Sequence, residues 1–146
     1  MSGYRTGASE FRRGAGAAAL IGTGVLHVFK TPEYLDAQMY IGVLFGLSFP
    51  LCIGLAVWLS IEDDRRAWTA GAMLAAAMVG AFMISRTSGL PGLAPGSGLT
   101  HWLEGFPALC AELGFLGLAY RPLIAPSATR VEVRRPITRR DQMASG

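Results

Sequence analysis

The side chains that gather around two connections of this chain could carry acid–base, metal or ion-pair chemistry, and they fall into two groups. The first holds His27, Lys30, Glu33, Asp36 and Tyr40; the second holds Arg86, His101, Glu104 and Glu112. Both histidines of the chain are among them. His101, Glu104, Ala108 and Glu112 recur at i, i+3, i+7 and i+11, which at about 100° per residue is one stripe of a helix. Three chemistries are open to this set. Arg86 and Glu104 form a natural guanidinium–carboxylate fork that would pin one segment to another, and the sharper alternative has Arg86 hold an anionic ligand or headgroup. His27, His101 and Glu104 are candidate ligands of a metal or haem, because a carboxylate three residues from an imidazole is how helical bundles present metal sites. Glu112 is a candidate proton-binding acid.

Covalent catalysis finds no support. No Ser-His-Asp pattern, phosphate-cradling glycine loop or zinc signature occurs. Cys52 and Cys110 form no C-x-x-C and read as small apolar core residues. An enzyme is therefore the least supported class, since no nucleophile–base pair can be assembled.

The elements that must position these groups follow from how charge is distributed. Of 146 residues, 51% are hydrophobic and only 16% charged, against about a quarter in soluble domains. Four stretches are nearly charge-free: 14–29, 39–61, 67–84 and 102–120. A spanning helix needs about 20 mostly apolar residues. In lipid the backbone must satisfy its own hydrogen bonds, which favours helices, and the period-2 alternation of a membrane barrel is absent. A soluble helix would show a polar face, and "MLAAAMVGAFMI" shows none. The expected class is all-α: an integral membrane four-helix up-down bundle spanning 14–120, with a basic tail at 1–13 and a basic, disordered tail at 121–146. The start "EFRRGAGAAALIGTGVLHVF" resembles an export signal, but no small-x-small cleavage site follows it, so it is read as the first span.

Lysine and arginine mark the cytoplasmic side of membrane proteins. Arg5, Arg12 and Arg13 precede the first span; Arg65 and Arg66 lie in the second connection; Arg121, Arg130, Arg134, Arg135, Arg139 and Arg140 follow the fourth. These eleven of the thirteen basic residues fall on one side of a four-span topology, with Lys30 and Arg86 on the other. Both termini are thus expected in the cytoplasm, in the inner (plasma) membrane. The net charge of +3 comes from these flanks and does not imply nucleic acid; each basic residue near anionic headgroups contributes about 1 kcal/mol.

Packing in lipid depends on close approach of helices. Gly14, Ala18 and Gly22, then Gly42 and Gly46, then Ala72, Ala76 and Gly80 offer small-residue stripes. Pro50 should kink the second helix and free the carbonyl of Gly46. "GLPGLAPGSG" cannot be regular helix and must form the connection before the fourth. On this topology His27, Lys30, Glu33, Asp36, Tyr40, Arg86, His101 and Glu104 gather at the outer side. Glu112 then lies about 16 Å below His101, at about 1.5 Å per residue, near mid-membrane. A charged carboxylate there costs at least about 2.5–3.5 kcal/mol, so it must be neutral, paired or inward-facing; Thr23, Ser48 or a freed carbonyl are possible partners.

His27, the run Pro32, Glu33, Tyr34, Leu35, the "GVLFGL" opening of the second helix and above all "SRTSGLP" with acids following it resemble small four-span membrane proteins of actinobacterial type, whose function is unsettled. The resemblance covers most of 14–120. It implies that His27, Glu33, Arg86, Gly89, Pro91 and Glu104 belong together and implies no activity.

The functional expectation is an integral inner-membrane protein whose polar cluster (His27, Glu33, Tyr40, Arg86, His101, Glu104, Glu112) binds a partner subunit, a lipid headgroup or a small ligand. A membrane protein partner or a second copy would serve as that subunit. The alternatives are a bundle holding haem or copper, and a small proton-coupled transporter using Glu112.

Overall fold

In the computed structural model the secondary structure of the described residues is helical, with no β-sheet among them. The structure describes residues 3–92, 94, 95 and 99–124, with side chains described for 7–92, 94, 95 and 103–124. Four helices follow one another: α1 (Gly3–Ala37), α2 (Met39–Ile61), α3 (Arg65–Thr87) and α4 (Leu99–Ile124). Two of them, α2 and α3, are long and apolar enough to cross a membrane. The tail at 125–146, including Arg130, Arg134, Arg135, Arg139 and Arg140, lies outside the described residues.

Neighbouring helices run antiparallel. Gly16 of α1 faces Leu59 of α2, Gly24 faces Cys52, and Thr31 faces Gly46, so one helix rises as the other falls. Gly71 of α3 faces Phe115 of α4, and Arg65 donates to the carbonyl of Leu123 at 2.7 Å. His27 and Lys30 of α1 approach Glu112 and Glu104 of α4 respectively. The helices form a ring in chain order, with α1 also packed on α4 and with α2 and α3 barely touching.

The core sits at the end where the chain enters and leaves. Trp68 and Leu59 are fully buried there among Ala17, Leu20, Ala56, Ala67, Ala75, Phe115 and Ala119. The Trp68 and Phe115 rings stack with centroids 5.5 Å apart. Trp68 donates its indole N–H to Asp63 at 2.8 Å, Asp63 faces Arg12 at 3.6 Å, and the Arg12 guanidinium lies over the Trp68 ring. Alanine and glycine around two large rings let four backbones converge at this end.

Three local expectations change. α1 does not stop near residue 29 but continues through Pro32 to Ala37, leaving Gln38 as the whole first connection. Thr31 supports this last stretch by donating its hydroxyl to the His27 carbonyl at 3.1 Å. The stripe Gly14–Ala18–Gly22 is not the packing face, for Gly14 and Gly22 have open space around them, and Gly16, Ala17, Leu20 and Gly24 pack instead. On α3 the face is Ala67, Gly71 and Ala75, and Gly80 is open. Each helix carries two small-residue rows, and the position of Trp68 and Phe115 decides which is used. Cys52 is buried as expected, whereas Cys110 is exposed on the outside of the bundle.

Gly42 and Gly46 do face α1. A Cβ at Gly42 would stand 2.5 Å from the backbone nitrogen of Leu35 and 2.6 Å from its Cα, where backbone cannot yield. Gly42→Ala should therefore lower unfolding stability in detergent by about 1–3 kcal/mol. Gly54→Ala, with nothing within 4 Å, should be neutral or stabilising. Equal shifts for the two variants would refute the close approach of α1 and α2.

Candidate functional site

Away from the core end, α2 and α3 diverge and leave a cleft of about 840 Å³. α2 supplies Leu44, Leu47 and Leu51 to one wall, and α3 supplies Leu74, Ala77, Met78 and Ala81 to the other. α1 and α4 form the back. Among the described residues the polar groups are on that back wall and around the rim, with Ser48 of α2 and Ser85 of α3 added on the side walls.

On the back wall His27 Nε2 lies 3.9 Å from Glu112 Oε1. His27 Nδ1 is 2.8 Å from the carbonyl of Thr23 and must donate to it, so the neutral ring presents the Nε2 lone pair to Glu112. Glu112 is only 3% exposed. The separation is too long for a hydrogen bond, so the imidazole and the carboxyl face one another across a short gap on the cleft wall. Of the partners considered for Glu112, Ser48 instead donates to the Phe45 carbonyl at 2.6 Å. The Phe45 ring stands 4.6 Å from both the His27 and the Tyr34 rings and closes the cleft's upper back corner.

The rim holds Glu33, Tyr40, Arg86 and Glu104. The expected Arg86–Glu104 fork is not formed. Glu104 lies 3.8 Å from the Lys30 ammonium, which also bonds Glu33 at 2.9 Å. The hydrogen bond that Lys30 donates to Glu33 chiefly raises the Lys30 pKa above its ordinary value, slight burial opposes it, and the charges of Glu33 and Glu104 add to it. Lys30 can reach both acids because α1 continues a further two turns beyond residue 29. Arg86 is left with its guanidinium carbon 5.0 Å from the Phe82 ring centroid and, among the described residues, its buried Nε has no hydrogen-bond partner.

The connection after α3 crosses the mouth. Gly89 and Gly92 take positive φ of 80° and 77°, turning the chain back over the helix ends. Gln38 donates to the Gly92 carbonyl at 2.8 Å and Tyr40 to the Pro91 carbonyl at 2.7 Å. Leu90, Ala94 and Pro95 thereby line the cleft.

Six of the seven candidate residues thus border one space: His27, Glu33, Tyr40, Arg86, Glu104 and Glu112. The seventh, His101, belongs to α4, but its side chain lies outside the described part. Among the described residues no three His, Cys, Asp or Glu side chains converge as metal ligands. Sequence reasoning missed Gln38, Tyr34, Phe45 and Phe82, together with every apolar wall residue. Gln38 and Tyr40 immediately flank the start of α2, and that placement was the signal available. Compared with protein-family models, with curated proteins and with solved structures, the chain gives no match.

The strap over the mouth hangs on two hydrogen bonds to α2, each contributing about 0.5–1.5 kcal/mol. Gln38→Ala combined with Tyr40→Phe should speed hydrogen exchange at the amides of Ser88 and Gly89 by roughly tenfold or more. Unchanged exchange there would show that the strap is held by something else.

Proposed function

We propose that this chain is an integral inner-membrane protein of four spans, with both termini cytoplasmic, whose cleft between α2 and α3 is an outward-facing site for a small ligand with an apolar body. The apolar-walled cleft carries this reading. Ligand sites run from about 300 to 1,000 Å³ and combine apolar lining with a few placed polar groups, and the cleft fits both descriptions. Membrane residence is supported by the outward faces: Val43, Val57 and Ile61 on α2 and Met73 and Ile84 on α3 are exposed, an arrangement suited to hydrocarbon and costly in water. The distribution of arginines supports the orientation. Kinship with the small actinobacterial-type four-span proteins is part of the same proposal.

One observation favours a second reading. The approach of His27 to Glu112 on the cleft wall suits a proton-coupled carrier, in which Glu112 exchanges a proton as ligand enters. The haem or copper reading would need His101 and has no comparable geometry in its favour.

Topology is tested with alkaline phosphatase inserted at Gly96, expected active, and fused after Gly146, expected inactive; the reverse pattern would overturn the orientation. Binding is tested with the neutral fluorophore N-phenyl-1-naphthylamine and protein in nanodiscs. Saturable binding should be abolished by Ala77→Trp, which fills the cleft, and binding indifferent to that change would place the ligand elsewhere. For the carrier reading, dicyclohexylcarbodiimide should modify Glu112 more slowly with the fluorophore bound, and an unaltered rate would count against Glu112 facing the ligand.

A further inference from the structure

We infer that the ligand is a single-chain anionic amphiphile, its carboxylate or phosphate head on Arg86 at the rim and its chain lying between α2 and α3. This rests on the cleft being the ligand site and adds the chemical class of what fills it.

The charges at the rim are unevenly matched. Lys30 is engaged by both Glu33 and Glu104. Arg86 lines the same cleft with no carboxylate within ion-pair distance among the described residues, and its buried Nε has no hydrogen-bond partner. The enclosed Nε marks the guanidinium as partly desolvated, which strengthens any ion pair that its other N–H groups make with an anion. The Phe82 ring lies against the guanidinium carbon, so stacking fixes the group's plane and leaves its edge to a planar or tetrahedral oxyanion. A cationic ligand would be repelled by Arg86, and a purely apolar one would leave it unsatisfied.

Below Arg86 the lining turns apolar. From Arg86 to Leu74 the cleft follows α3 for about 18 Å, at about 1.5 Å per residue. Ala77 and Ala81 keep that wall low, opposite the leucines of α2. A long narrow slot beneath one cation matches a head joined to one chain. The His27–Glu112 pair stands on the back wall, between α1 and α4, with a carboxyl facing the imidazole, so it is not an open anchor for an anion.

The test uses the full chain in phosphatidylcholine nanodiscs, with 11-(dansylamino)undecanoic acid and its methyl ester as probes. The acid should bind more tightly than the ester. Arg86→Gln should weaken the acid by roughly tenfold or more and leave the ester unchanged, as expected for loss of a charge-assisted hydrogen bond. Arg86→Lys should keep much of the acid's advantage. Ala77→Trp should block both probes. If Arg86→Gln binds the acid as wild type does while Ala77→Trp blocks it, the headgroup assignment falls and the cleft reading stands. If Ala77→Trp leaves both probes bound, the cleft reading falls as well. Displacement of the acid by inorganic phosphate alone would overturn the assignment of a chain. Should Arg86→Gln fail to fold, equal affinity of wild type for acid and ester overturns the proposal.

Discussion

The architecture depends on where its two large buried rings sit. Trp68 and Phe115 stack at the end of the bundle that holds the termini, and small residues surround them. Rings of that size, completely enclosed, draw all four helices together at one level. Farther along, α1 meets α2 through Gly42 and Gly46, while α2 and α3 share no comparable contact. A bundle clamped at one end and glycine-joined along one side has a single seam left to open. That seam is the cleft, and its depth is set by the rings below it.

The polar groups follow from the same geometry. Because α1 runs on through Pro32, Lys30 stands beside Glu33 on its own helix and Glu104 on α4. This sets the one rim lysine against both acids and leaves Arg86 outside either pair. The strap then joins α3 to the start of α2 across the opening, so the two diverging helices remain tethered at their outer ends. Core, cleft and strap are thus one mechanical unit.

Much of this was legible in the residues. Four helices, the approximate limits of α2, α3 and α4, and the placing of the candidate groups at one end follow from charge-free runs and a single proline-glycine connection; α1 runs Gly3–Ala37, well beyond the expected 14–29 at both ends. The pairing of those groups was not legible. Arg86 with Glu104 is a sound guess from side alone, but the rotation of each helix decides it, and α2 is apolar all round, so its sequence holds no angular signal. For the same reason the cleft walls were invisible: Leu44, Leu47 and Leu51 do not differ in kind from Leu55 or Leu59. The small-residue rows misled because glycine and alanine occur on several faces, and only the bulky partner identifies the one in use. The reach of α1 past residue 29 was hidden because Lys30 and Pro32 look like the end of a span.

The seam between α2 and α3 is open along its length as well as at its mouth, for Leu44, Leu47, Leu51, Ala77 and Ala81 are all exposed. In a bilayer such a slot would meet its occupant in two dimensions. Occupancy would then respond to the mole fraction of the amphiphile among neighbouring lipids instead of its solubility in water. A protein loaded in that way reads the composition of the leaflet around it, and strong retention would be unnecessary for the slot to stay filled.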